Sequence, residues 1–214
     1  MSETSIKTFK NAAIVNTFAD LKAIENSDTN IAVCERETIA MQHEIALLME
    51  RKVQLKLQGA QSELLKQLAQ QLNVSDANES LIYNDIKALL TTFEKISASP
   101  TFRLSLLTVA SDMCRRFHTD VNDLRLLCTY HGKGTMWLPE EAADRIKYQN
   151  GGDNYAIVKN PELIQQTQAG DVIILKGALY PNAVAALHRS PSIEESAEQR
   201  LLLRIDTQQF ANFS

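Results

Sequence analysis

The spacing of hydrophobic residues changes along the chain. From about Phe18 to Ile96 it is helical. Leu64, Leu65, Leu68, Ala69 and Leu72 fall three and four apart with Gln, Glu and Lys between them, which predicts an amphipathic helix. Leu81, Ile82, Ile86, Leu89, Leu90, Phe93 and Ile96 predict a second. Asp76 and Glu79 have the spacing of a capping box at its start, and Ser97 to Pro100 supplies a stop. Ile39 to Leu57 reads as a further helix ended at Gly59. Ile31 to Cys34 is apolar and β-branched, so a short strand is expected there.

After Pro100 the period shortens. Phe102, Leu104 and Leu106 alternate with Arg103 and Ser105, a strand pattern. Leu124 to Tyr130, Asp171 to Leu175 after Gly170, and Leu201 to Ile205 are further β-rich runs, with Asn150 to Asn154 a loop between them. Short strands so punctuated suggest a sandwich or barrel. The expected class is α+β. A mainly helical region over 1–98 precedes a β region over 99–214, the two forming one compact unit.

Composition narrows the setting. Of 214 residues, 44% are hydrophobic and 22% charged, enough apolar material for a core without a disulfide staple. A net charge of -4 with scattered basic residues supplies no electrostatic reason to expect a nucleic acid. The three cysteines, Cys34, Cys114 and Cys128, do not make a secreted disulfide framework. The polar stretch Met1 to Lys10 is unlike a signal peptide, and no apolar run nears the roughly 20 residues that cross a bilayer. A cytoplasmic protein without a membrane or nucleic-acid partner is the expectation.

Three segments carry candidate chemistry. In Phe117-His118-Thr119-Asp120, an imidazole and a carboxylate two residues apart would share one face of a strand. Leu187-His188-Arg189 offers another imidazole, and Arg200-Leu201-Leu202-Leu203-Arg204 a strand with arginines on one face. Two histidines and a carboxylate leave coordination positions open, which suits ferrous iron. An arginine can pair bidentately with the carboxylate of an acidic cosubstrate. A rival set, Cys114, His118, Cys128 and His131, has a spacing compatible with a closed Zn(II) site. Tyr130 and Trp137 are candidates for core or pocket wall, Lys176 for an anion contact, and Arg189 and Ser190 for support behind the distal histidine.

The order His118-x-Asp120, a Gly134-Thr135-Met136-Trp137 turn, His188 and then Arg200 resembles the iron(II)- and 2-oxoglutarate-dependent oxygenases. That resemblance implies a double-stranded β-helix, a cupin-like jelly roll, with Fe(II) on His118, Asp120 and His188 and 2-oxoglutarate on Arg200. Arg204 and Arg125 are rivals for the cosubstrate, because the Arg-x-Ser sequence common in that superfamily is Arg200-Leu201-Leu202 here. A fuller resemblance is to the bacterial family called domain of unknown function 1826. It rests on Cys114 to Asp120, Leu124 to Tyr130, Gly132 to Leu138, Leu175-Lys176-Gly177, His188 to Pro191 and Arg200 to Leu203. The family's frequent place in zinc-limitation regulons implies a link to metal supply. The alternative function is therefore a non-catalytic Zn(II)-binding protein of metal homeostasis.

Overall fold

The computed structural model describes residues 9–74 and 79–207. Seven strands form one sheet in the order β1 (Ala12–Val15), β2 (Ile31–Cys34), β8 (Val172–Lys176), β5 (Leu124–His131), β10 (Arg200–Thr207), β4 (Phe102–Val109) and β3 (Gln54–Gly59). β1 and β2 pair in parallel, and every other pair in this sheet is antiparallel. A second sheet holds the two-residue strands β7 (Gln165–Gln166), β6 (Met136–Trp137) and β9 (His188–Arg189). A single bridge joins His118 to His188 beside it. From β4 onward the chain crosses repeatedly between the sheets: β4, the His118 bridge, β5, β6 and β7, β8, β9, β10. That is the winding of a double-stranded β-helix.

The two faces of the large sheet differ because side chains alternate along each strand. Leu104, Leu106, Leu126, Cys128, Ile174, Leu201, Leu203 and Ile205 point outward into the main core. There they meet α1 (Gln42–Glu50), α2 (Gln61–Leu72) and α3 (Leu81–Ser97) through Ile45, Leu64, Leu68, Ile86, Leu89 and Phe93. The inner face carries Ile31, Val33, Leu127, Ile173, Leu175 and Leu202, packed with Trp137 and Ala186. Trp137 also meets Phe9 edge-on, ring centroids 5.1 Å apart. No helix among the described residues is long and apolar enough to cross a membrane.

The first part of the chain departs from the helical expectation. It opens with strand, and it contributes β1, β2 and β3 to the large sheet. The predicted helix over Ile39 to Leu57 is a short 3-10 turn followed by α1, after which Lys52 takes a left-handed backbone (φ 47°) and β3 begins. Gln54-Leu55-Lys56-Leu57-Gln58 alternates polar and apolar, and pairing with β4 turns that alternation into strand. Of the proposed capping box, Asp76 lies outside the described residues. The hydroxyl of Ser80 accepts from Tyr83 N (3.3 Å), and Glu44 of α1 accepts from Leu81 N (2.7 Å) and Ile82 N (3.3 Å). These bonds satisfy amides that a helix start leaves unpaired.

A polar network crosses the main core. Arg36 forms a bidentate pair with Asp85 of α3 and donates through Nε to Gly170 O (2.7 Å). The Tyr130 hydroxyl donates to Asp85 Oδ2 (2.6 Å). Asp85 thus ties α3 to β5 and to the loop before β8. Asp85→Ala would strand the Arg36 charge, and a loss of roughly 3–5 kcal/mol is expected. Urea unfolding measures it; a loss below about 1 kcal/mol would show that the network does not hold the helical layer.

Candidate metal centre

His118, Asp120 and His188 come together where the two sheets meet. Each presents one ligand atom, and these atoms lie within 4.8 Å of one another. The residues are placed differently from the expectation: His118 occupies an isolated bridge and Asp120 the following loop, so the pair is not on a regular strand. Backbone pairing creates the site instead. His118 N donates to His188 O and His188 N to His118 O, both at 3.0 Å. This sets the two rings side by side, centroids 4.5 Å apart and planes tilted by 46°.

Each imidazole is oriented from behind. His118 Nδ1 lies 3.0 Å from Arg116 O, and His188 Nδ1 lies 3.4 Å from Ala186 O. With the proton on Nδ1, each Nε2 lone pair is directed at the carboxylate side of the site, the usual support behind a metal-binding histidine. His188 Nε2 is 3.4 Å from Asp120 Oδ2, and His118 Nε2 is 3.9 Å from Asp120 Oδ1. Burial, with His118 and Arg125 nearby, holds the His188 pKa down at about 3, so this imidazole is neutral near pH 7.

Asp120 is buried, and burial raises its pKa against the opposing effect of Arg125 and His118. Arg125 Nη1 donates to Asp120 Oδ1 while its Nε donates to Asp206 Oδ1 (2.5 Å). Arg204 Nε completes the chain at Asp206 Oδ2 (3.0 Å). Asp120 Oδ2 has no hydrogen-bond partner. A buried carboxylate oxygen left bare beside two Nε2 atoms is costly and fits a hard cation. The three residues therefore suit a metal ion by donor type, spacing and unsatisfied valence.

The three arginines fare differently. Arg125 and Arg204 are both ion-paired. Arg200 lies on the inner face of β10 and is 1% exposed. Its Nη2 donates to the Thr129 hydroxyl (3.1 Å), its Nε has no partner, and no carboxylate among the described residues pairs with it. Burial lowers its pKa to about 10. The strand end carrying it is bent by a bulge, since β10 shifts register against β5 between Leu201 and Leu202. Gly132 lets the turn after β5 approach: it has φ +82°, and a Cβ there would lie 2.3 Å from Gln199 O.

Other candidates are not gathered here. Cys128 is buried in the main core on the opposite face of β5 from Arg125, with its thiol pKa raised by burial to about 12. Cys114 is exposed. The cysteine–histidine set therefore does not form, and His118 joins Asp120 and His188 instead. Tyr130 points to Asp85, and Lys176 donates to Asn26 O (2.8 Å), both away from the site. Arg189 lies over the Phe117 ring at 5.2 Å. Thr129 and Asp206 were not foreseen. The alternation Arg200, Leu202, Arg204, Asp206 along one strand face was the available signal for Asp206; Thr129 is found only through strand pairing.

This fold is shared with an oxygenase. The chain is similar to the dioxygenase for auxin oxidation 1 from Arabidopsis thaliana, solved as a binary complex with 2-oxoglutarate, at 9% identity and a TM-score of 0.51, over 92% of this chain and 91% of that one. Also similar are a Pseudomonas putida prolyl-4-hydroxylase (7% identity, TM-score 0.47, 90% of this chain and 98% of that one) and a full-length Neurospora crassa protein in complex with alpha-KG (10%, 0.46, 97% and 88%). The chain belongs to the family described as Protein of unknown function (DUF1826), which it matches over residues 16–206. No curated protein matches it by sequence.

The neutral His188 generates a pH prediction. Its folded pKa lies below the unfolded value near 6.5, so the unfolded chain binds the extra proton. Stability is then full above about pH 6.5 and falls as pH drops toward about 3, by at most ~1.4 kcal/mol per unit. Metal-free protein should lose roughly 2 kcal/mol more than His188→Gln between pH 6.5 and 5, read by urea unfolding. Equal losses would contradict a buried neutral imidazole.

Proposed function

We propose that the protein is a non-haem Fe(II) and 2-oxoglutarate-dependent oxygenase. One observation carries this reading: the barrel interior holds two uncompensated groups of opposite need, the bare Asp120 Oδ2 and the unpaired guanidinium of Arg200. A divalent cation answers the first and a carboxylate answers the second. The fold shared with the plant dioxygenase supports the same assignment.

His118, Asp120 and His188 would hold the iron. Bound there, iron would supply the redox chemistry that couples oxidative decarboxylation of 2-oxoglutarate to oxidation of a substrate C–H bond. The residues of the chain do the rest. Arg116 O and Ala186 O keep the Nε2 atoms turned inward. Arg125, braced on Asp206, fixes the Asp120 carboxylate. Arg200 and the Thr129 hydroxyl receive the far carboxylate of the cosubstrate, where desolvation strengthens a bidentate ion pair. Leu127, Leu202 and Trp137 form an apolar wall that excludes water. In this assignment Arg200 anchors the cosubstrate, while Arg125 and Arg204 are committed to carboxylates of the chain.

Anaerobic titration with Fe(II) and then 2-oxoglutarate should develop a visible charge-transfer band that His188→Ala abolishes. Arg200→Gln should keep Fe(II) and need ~30-fold or more 2-oxoglutarate for the same band, as expected when one partner of a buried charge pair is lost. One tight Zn(II) with no band in the wild type would replace the oxygenase by the metal-homeostasis reading.

A further inference from the structure

Beyond the metal centre, the inner face of the large sheet continues across β10, β4 and β3, where past the apolar Leu202 and Leu107 it carries two rows of polar and charged side chains. The cross-strand register sets Lys56, Ser105 and Arg204 in one row, since Lys56 pairs with Ser105 and Ser105 with Arg204. The adjacent row runs Gln58, Arg103, Asp206 and Arg125. Neighbouring strands lie about 4.8 Å apart, so two long cations flank one small hydroxyl. The result is a cleft of about 200 Å³, lined by Lys56, Gln58, Arg103, Ser105 and Arg204.

The cations are also prepared. Arg204 is held by its Nε on Asp206, and no other carboxylate pairs with it among the described residues. Lys56 is exposed, also without an ion pair among the described residues. The only carboxylate on these two rows, Asp206, is already shared by Arg125 and Arg204. A guanidinium fixed through Nε keeps its outer edge available as a two-pronged donor, the geometry that binds phosphate and carboxylate. The chain Arg204–Asp206–Arg125–Asp120 connects the cleft to the metal-binding carboxylate.

We propose that this cleft seats an anionic group of the substrate, a phosphate or a carboxylate, on Lys56, Arg204 and Ser105, with the remainder of the molecule directed toward the metal centre. The substrate assignment rests on the oxygenase reading; the anion site does not. The cleft is smaller than the ~300–1,000 Å³ of a whole-ligand pocket, so it accommodates a head group only.

The test is calorimetric titration of the metal-free full chain with inorganic phosphate and, separately, with citrate at low salt. Saturable binding of either is expected, weakened about tenfold in Lys56→Gln and in Arg204→Gln and unchanged in Arg200→Gln; the stronger of the two ligands tells phosphate from carboxylate. Lys56→Gln alters an exposed side chain, so it serves even if Arg204→Gln unsettles Asp206. Binding abolished by Arg200→Gln but untouched by Lys56→Gln would put the anion inside the barrel and overturn the proposal, as would no saturable binding. The iron and 2-oxoglutarate band is read separately. Cleft binding without that band keeps the anion site and sinks the oxygenase reading, whereas the band without cleft binding sinks the anion site and the substrate assignment and leaves the oxygenase reading standing.

Discussion

Charge inside a barrel must be compensated by something, and this constraint orders the structure around β10. That strand sends Leu201, Leu203 and Ile205 into the helix-covered core and Arg200, Leu202, Arg204 and Asp206 to the other face. The outward residues anchor the fold through apolar burial, which is insensitive to exact partners. The inward charges are selective. Asp206 draws Arg125 and Arg204 together, and Arg125 in turn steers Asp120 toward the two histidines. Removing a charge from such a chain leaves its neighbour buried and unpaired, so the members depend on one another.

The sequence made the parts with a local signature legible. The alternation of Phe102, Leu104 and Leu106 with Arg103 and Ser105, and the β-rich run Leu201 to Ile205, identified strands now seen as β4 and β10. The helical spacing of Leu64 to Leu72 and of Leu81 to Ile96 identified α2 and α3. The spacing of His118, Asp120, His188 and Arg200 singled out residues that the fold then places at the junction of the sheets and on the inner face of β10. With only four histidines in the chain, two imidazoles beside a carboxylate are a narrow choice.

What could not be read was set by pairing between distant segments. Leu55 continues the helical period of Ile45 and Leu48, yet Leu55 and Leu57 together also fit a strand period, and the distant partner β4 decides between them. Ala12–Val15 has too little pattern to declare itself before β2 lies beside it. The second sheet is made of two-residue strands, which carry no periodicity at all. The same holds for the candidate metal ligands. His118 and Asp120 converge with His188 because one bridge pins two distant segments, whereas alternation along a strand would have been the simpler cause. Arg200 stood first by its order in the sequence, and only the structure shows that its rivals Arg125 and Arg204 already pair with carboxylates of the chain.

The two unmet groups of the interior bear on each other. Asp120 Oδ2 has no hydrogen-bond partner and Arg200 has no carboxylate partner among the described residues: Asp120 sits in the loop before β5 beside Arg125, which lies opposite Asp206 near one end of β10, and Arg200 begins that strand at the other end. A rigid sheet cannot shorten that gap, and the apolar side chains of Leu127 and Leu202 between them offer no relay. Either unmet group alone would be a reason for a mutation to neutralise it. Both together are satisfied at once by a metal ion at Asp120 and a ligand with an acid group at each end, one reaching the metal and the other Arg200. Under the oxygenase reading, 2-oxoglutarate has that form. Under that reading the two unmet groups are halves of two interactions, one with the metal ion and one with the acid group of its cosubstrate.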